Sequence, residues 1–482
     1  MSRKRNEIQL VSAALLALGA IALPAKNAYA NGYLTARYGS DQGSPAMPNT
    51  YSPYFNPAAM GGTHGTQLTL DVSAVYRHVS YERGADALSP SNPNFTTDPT
   101  YLAANSGKNN LNNFLALPYL GFTTDLGTQS FRLGAAIHVP FGGAASWERG
   151  SPAAGAPGAQ DGVQRWANIS GQILALYQTL AASYTIDAAD LTIGANVSGI
   201  YHKVATTRAR NLDGSDDVNT VAGRVQEGRS ELEVSGYNLN ATLGLYWQPK
   251  RLGASPMRDR LKIGLAYLSQ PGFGKTKLNG NLRTVLGTTQ EQNQDVSFYV
   301  TYPDIIRFGG AYRTASDKFE VRTDFEFVRW SVFKDQCVSA RGESCDVNAD
   351  GTAVGDPKLI VLNVKRNWRN AIGYRLGGAY FIDYPGFEVF GSLGFSTSAV
   401  PKETVDASTI DSFTLLAAIG IRKELGEHIA IGASYNHLYL LDINTNDQSI
   451  HDKLLNPSRS PSADGKYKSQ LGFFNVNATY LF

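Results

Sequence analysis

The sequence is short of cysteine, histidine and charge. Two Cys and seven His in 482 residues leave little from which to build a disulfide scaffold or a zinc framework. Only 17% of the residues are Asp, Glu, Lys or Arg, whereas an ordinary soluble domain carries about 25%. A formal net charge of +2 offers no basic field to nucleic acid, and no block of like charges forms a tail. Beyond residue 30 there is no uninterrupted apolar run of the ~18 residues that a membrane-spanning helix requires. These absences set aside a cytosolic enzyme of the usual kind, a nucleic-acid binder and a helical membrane protein.

Catalytic motifs are missing as well. No His stands in a G-x-S-x-G or H-E-x-x-H context, and no phosphate loop or clustered metal-ligand spacing occurs. His64, His78, His138 and His202 read as lumen or rim side chains, so no enzymatic activity, metal or cofactor is expected.

What is present begins with a leader. Arg3, Lys4 and Arg5 precede an apolar run from Val11 to Leu23, and Ala28-Tyr29-Ala30 supplies the small residues of a cleavage site. Residues 1–30 are expected to be a signal peptide, with the mature chain starting at Asn31. Its removal takes away four positive residues and Glu7, turning the formal charge of +2 into −1.

The mature chain alternates. Leu68, Leu70, Val72, Ala74 and Tyr76 share one parity while Thr69, Asp71, Ser73 and Arg77 share the other. Ile193, Ala195, Val197 and Tyr201 alternate with Thr192, Asn196, Ser198 and His202; Phe319, Val321, Phe325 and Phe327 alternate with Glu320, Arg322, Asp324 and Glu326. Strand side chains point to opposite faces in turn, so each segment has one oily and one wet face. Such segments fall near 66–82, 114–124, 130–145, 168–185, 190–207, 232–247, 260–273, 294–314 (in two parts around Pro303), 319–333, 360–382, 387–398, 410–423, 427–442 and 466–482. Tight turns at one end alternate with long, polar connections at the other. Hydrocarbon cannot satisfy an open backbone edge, so the sheet must close. The expected fold is all-β: a 14-stranded antiparallel transmembrane β-barrel over 66–482, with both termini on the periplasmic side of a Gram-negative outer membrane. The last stripe, Phe474, Val476, Ala478, Tyr480 and Phe482, ends on a terminal aromatic residue, as outer-membrane assembly machinery reads it. Abundant Tyr suits interfacial girdles.

Residues 31–65 do not alternate and contain Tyr51-Ser52-Pro53-Tyr54-Phe55-Asn56-Pro57-Ala58-Ala59-Met60-Gly61. With Asn56-Pro57-Ala58 just before the first strand, this block resembles the N-terminal hatch of FadL-type long-chain fatty-acid transporters. Gly134 to Gly143 resembles the family's third strand, where Pro140-Phe141-Gly142 corresponds to an inward kink that opens the wall sideways. Pro lacks a ladder donor and Gly has no side chain to pack, which is why such a break weakens pairing. Tyr302-Pro303-Asp304, Trp330-Ser331-Val332-Phe333, Asn367-Trp368-Arg369-Asn370 and Ser398-Ala399-Val400-Pro401 also resemble family blocks. Tyr33 to Pro48 departs from it, lacking a Gly-Arg-Ala segment.

The resemblance implies ligand-coupled passive diffusion. Long-chain fatty acids or similar hydrophobic molecules would be captured by outer loops, held against a hatch inside the lumen, and released through the third-strand opening. It places Arg208 and Lys365 near the cationic groups that meet the ligand carboxylate, with Lys203, Arg210 and Arg366 nearby. A FadL-like channel for aromatic or other hydrocarbons, and a surface ligand-binding protein or adhesin, are the alternatives. A monomer in contact with outer-membrane lipids is expected. Cys337 and Cys345 sit in a long loop of a chain with a secretory leader, where a disulfide is the expected state; a two-Cys zinc site would need further ligands, and no His lies in that loop. Glu320, Arg322, Asp324 and Glu326 read as a mutually paired wall rather than a proton relay.

Overall fold

The computed structural model describes residues 38–149, 161–218, 220–221, 224–225, 227–252, 255–257, 260–285, 291–382 and 386–482. The signal peptide expected over 1–30, and residues 31–37, lie outside these. Eighteen segments form one antiparallel sheet; four of its staves are each interrupted once, so the staves number fourteen. They are β1 (Thr66–Arg83), β2 (Gly107–Thr124), β3 (Phe131–Ser146), β4 (Ser170–Ile186), β5 (Leu191–Arg210) and β6 (Gly228–Trp247). Then follow β7 (Leu261–Leu268 and Lys275–Val285), β8 (Gln292–Thr301 and Ile305–Arg313), β9 (Phe319–Val328 and Asp335–Ala340) and β10 (Ile360–Lys365 and Ala371–Ile382). The last four are β11 (Phe387–Ser396), β12 (Thr414–Leu425), β13 (Ile429–Asn444) and β14 (Lys466–Leu481). Neighbours pair in order, and β14 closes onto β1 from Gln67↔Leu481 to Glu82↔Lys466. No helix among the described residues is long and apolar enough to cross a membrane.

Side-chain polarity dictates this closure. On β5, Ile193 and Val197 are exposed to the outside while Thr192, Asn196 and Ser198 are buried in the lumen. On β6, Tyr237, Leu239, Leu243 and Leu245 face out, opposite the buried Asn240 and Thr242. Above Tyr237 the pattern inverts. Leu232 and Val234 now point inward and are buried, and Glu233 points outward. The outer end of the barrel has therefore left hydrocarbon for water, so it folds like a soluble barrel with an apolar inside. Tyr201 and Tyr237, whose rings lie 5.1 Å apart on adjacent staves, mark that boundary.

Two expectations are corrected. Strand β2 starts at Gly107, not near 114, because Gly107 to Asn113 pair in full register with Arg83 to Arg77 despite an Asn-rich sequence that disfavours strand. Segments 274–293 and 334–359, expected as loops, contribute Lys275–Val285 and Asp335–Ala340. Their outward faces carry Lys275, Lys277 and Arg283, while inward residues such as Leu278, Leu282 and Val338 are apolar.

Candidate functional site

The lumen is filled from below by residues 38–65. Short helical turns at Ser52–Phe55 and Pro57–Gly62 bury Tyr54, Phe55, Pro57, Ala58, Ala59 and Met60. Asn56 organises the junction between them: its Oδ1 accepts from the Ala58 N–H at 3.1 Å, and its Nδ2 donates to Pro45 O at 2.8 Å and to Leu245 O of β6 at 3.0 Å. Around the rim, Asp71 of β1 accepts from the Gly39 N–H and the Tyr51 hydroxyl, and Asn196 of β5 donates to Pro53 O. Arg307 of β8 donates to the Tyr54 hydroxyl, and Arg375 of β10 donates to Ser40 O and Gly43 O. The wall makes room with glycine. A Cβ on Gly194 or Gly244 would overlap Ala58 or Asn56, one on Gly264 would overlap Pro45, and one on Gly121 would overlap Thr50.

The wall's pairing is interrupted at β3. Its ladder with β2 runs from Thr124↔Leu133 to Tyr119↔His138 and stops there. Its ladder with β4 continues to Ser146↔Ser170 after a register shift between His138 and Phe141. Val139 and Pro140 stand opposite the single Leu176, one residue in excess, and a bulge with a proline bends a strand and ends pairing on one side. Above Tyr119, β2 and β3 are joined by a side chain, the Asn113 Nδ2 donating to Ala144 O at 2.9 Å, and near the top by the Glu148 N–H donating to Asn110 O at 3.1 Å. Phe141 turns inward and is fully buried; its ring lies 5.5 Å from Tyr302 and 6.4 Å from Tyr177. His138 sits in an aromatic nest with Tyr54 at 4.5 Å and Tyr177 at 5.3 Å, and its Nε2 is 3.1 Å from Thr179 Oγ1.

Two cavities bracket this region. The outer one, of about 90 Å³, is lined by Ile173, Val204, Leu232, Phe298 and Leu362 together with Arg208, Arg366 and Asp406. Arg366 and Asp406 form an ion pair at 2.8 Å. Burial alone would raise the Asp406 carboxyl, but the Arg366 guanidinium, with His451 and two hydrogen bonds from Ser408, holds it down at about 2. Arg208 is buried, and its Nε has no hydrogen-bond partner among the described residues. Lys365 does not line this cavity; its ammonium pairs with Asp335 at 3.3 Å. The adjacent residue, Arg366, does. Of the other nearby cations, Lys203 pairs with Glu233 at 2.6 Å and Arg210 donates to Val361 O at 2.8 Å.

The inner cavity, of about 110 Å³, lies between the luminal segment and β8 to β13. Phe55, Val328, Trp330, Ala371, Leu416 and Leu438 give it an apolar lining. Its charges are matched: Arg307 meets Glu326 at 2.8 Å, and Arg375 meets Asp324 at 2.6 Å. Nearer the periplasm, Arg322 bridges Glu320 at 2.7 Å and Glu388 at 2.6 Å. Buried charge is tolerated only when partnered, and this wall obeys that rule. Cys337 and Cys345 are joined by a disulfide that holds the 341–359 loop against Tyr299 and Ile360. Among the described residues no group of three or more His, Cys, Asp or Glu is arranged to hold a metal ion.

A family model described as outer membrane protein transport protein (OMPP1/FadL/TodX) matches residues 18–482. No curated protein matches the sequence. Among solved structures, a Pseudomonas aeruginosa FadL homologue is 15% identical, with a TM-score of 0.67 over 95% of this chain and 99% of its own. The Ralstonia pickettii toluene transporter TbuX is 16% identical (TM-score 0.57; 94% and 98% covered), and the Pseudomonas putida toluene transporter TodX is 12% identical (TM-score 0.58; 94% and 98%). At these identities the structural likeness speaks for the fold alone.

Proposed function

We propose a function from one premise: the chain belongs to the OMPP1/FadL/TodX family of outer-membrane transport proteins. Members of the family are channels for hydrophobic compounds, not enzymes, and the protein is an outer-membrane β-barrel transporter. The finer reading is passive transport of long-chain fatty acids or similar molecules, with release sideways into the membrane at Pro140-Phe141-Gly142. Residues 38–65 act as the hatch, with Asn56-Pro57-Ala58 at its centre.

The observation that carries this reading is the contrast between the two ways out. The axial path is occupied by the luminal segment, whereas the β2–β3 ladder ends at Tyr119↔His138. An apolar molecule in the outer compartment leaves water for an inner wall whose apolar residues are Ile173, Val204, Leu232, Phe298 and Leu362, with charge confined to Arg208 and the Arg366–Asp406 pair. A carboxylate head would be stabilised there by Arg208, because a buried anion needs a charged hydrogen-bond partner. Lys365, held by Asp335, supports this pocket at a distance.

A second reading follows from the inner cavity. With both arginines there already paired, that cavity favours a neutral guest, and TbuX and TodX bear the description of toluene transporters. The deciding experiment is uptake and equilibrium binding of labelled oleate and labelled toluene by wild type and Arg208→Ala, each confirmed in the outer membrane. Selective loss of oleate binding supports the fatty-acid reading; equal handling of both by the variant removes the carboxylate role. Absence of uptake above that of cells lacking the protein would overturn transport itself.

A further inference from the structure

Four consecutive staves break at one height. The interruptions span 269–274 in β7, 302–304 in β8, 329–334 in β9 and 366–370 in β10, and pairing resumes between the same neighbours above and below. Each break forfeits ladder hydrogen bonds that a purely structural wall would keep. What the last three breaks deliver is aromatic bulk to the interior: Tyr302, Trp330, Phe333 and Trp368 are all buried. Trp368 packs 4.8 Å from Trp330 and 4.5 Å from Phe333, edge to face in both cases.

This aromatic layer stands between the two cavities. Trp330 lines the inner one, the outer one begins at Phe298, Val338 and Leu362 in the upper segments, and the two share no lining residue. The layer also touches the kink: the Phe141 and Trp330 rings lie 6.3 Å apart at 89°. A molecule moving from the outer to the inner cavity must displace these rings. The displacement would be passed to Phe141, the kink residue whose ring meets Trp330.

We propose that Trp330, Phe333 and Trp368 form a septum that sets the cross-section of the cargo admitted to the inner cavity, with Phe141 the contact through which its movement reaches the wall kink. The inference rests on the transport reading, and it assigns a role to two sequence blocks that the hatch, the kink and the carboxylate site leave unused. Narrow chains and single rings pass by tilting the indoles. Wide fused-ring molecules are held back in the outer cavity.

The test uses the full-length protein in cells and in mild detergent, with oleate as the narrow probe and anthracene as the wide one. Trp330→Ala should raise the ratio of anthracene to oleate uptake about fivefold over wild type, and Trp330→Phe should fall between them. A reversible lock guards against misfolding. The Ser331 N–H donates to Asn370 Oδ1 at 3.0 Å, so Ser331→Cys with Asn370→Cys can tie the β9 and β10 breaks together. Oxidation of this pair should cut oleate uptake about fivefold and reductant should restore it, whereas wild type treated in parallel stays unchanged. Equal uptake by the oxidised and reduced lock, or continued exclusion of anthracene by Trp330→Ala, would overturn the septum. Lack of oleate uptake by wild type would instead overturn transport, so the two failures are distinguishable.

Discussion

Asn56 occupies the space that a side chain at Gly244 would need. Its amide carbonyl packs directly on the Gly244 backbone while its Nδ2 donates to the neighbouring Leu245 O at 3.0 Å. The luminal segment is thus seated by what the wall lacks as much as by what it offers.

Gly244→Val is therefore expected to unseat that segment without opening the barrel. The branched side chain suits a strand but overlaps Asn56, an overpacking that costs about 1–3 kcal/mol. Planar-bilayer conductance should be small in the wild type and rise at least about threefold in the variant, with heat-modifiable electrophoretic mobility retained. Unchanged conductance from a folded variant would mean that the segment does not plug the channel.

Gly142→Val should separate capture from exit. A Cβ at this position would lie 2.7 Å from Val139 Cγ1, within the bulge itself. Oleate uptake should fall about tenfold while equilibrium binding in detergent stays within about twofold, because the outer cavity is untouched. Uptake at the wild-type rate would remove the lateral exit.

The two cations singled out from the sequence should behave differently. Arg208→Ala should weaken oleate binding about tenfold and leave toluene binding unaltered, the worth of one charged hydrogen bond. Lys365→Ala should act mainly through stability by stranding Asp335, with matched losses for both ligands. Isothermal binding curves for the four combinations decide this.

Asp411, in the loop before β12, gives a pH dependence with a definite sign. Burial pushes its carboxyl up to about 7, only partly offset by donors that include the Ala399 N–H at 2.7 Å. The folded form then binds its proton more tightly than the unfolded chain does, so this group's contribution to stability is full below about pH 4 and fades as pH rises through 7. Asp411→Asn keeps the acceptor and removes the buried charge. Its unfolding temperature should exceed that of wild type at pH 8, and the difference should vanish at pH 4. A constant difference across that range would contradict the assignment.

The sequence was most legible where the barrel lies in lipid. There Leu243 and Leu245 outside oppose Thr242 and Gly244 inside, and alternation marks the stave and its faces alike. It was least legible above Tyr237, where the outside is water and an oily outward stripe no longer exists; Lys275–Val285 passed for a loop for that reason. The candidate site divides similarly. Asn56-Pro57-Ala58 and the Pro140 kink were readable as motifs, and the alternating signs of Glu320, Arg322 and Asp324 foretold a paired wall. That Arg366 rather than Lys365 lines the outer cavity was not readable, because neighbouring residues on a strand face opposite ways and the stave breaks at that point. The clearance provided by Gly194 and Gly264 depends on residues far away in sequence and left no local trace.

The shared height of the breaks in β7 to β10 also makes the barrel wall unequal. Below the breaks these staves have 8, 9, 10 and 12 residues, whereas β1 has 18 and β5 has 20. A tilted transmembrane strand needs about 9–11 residues, so the broken side crosses the membrane with nothing to spare. A single-residue deletion in Leu261–Leu268 cannot be absorbed by drawing in adjoining strand and would turn its oily face to the lumen, whereas β5 can slide by a full two-residue repeat. Tolerance to insertion and deletion is therefore lopsided around the circumference, and the long-staved side is where the chain can lengthen or shorten without losing its membrane.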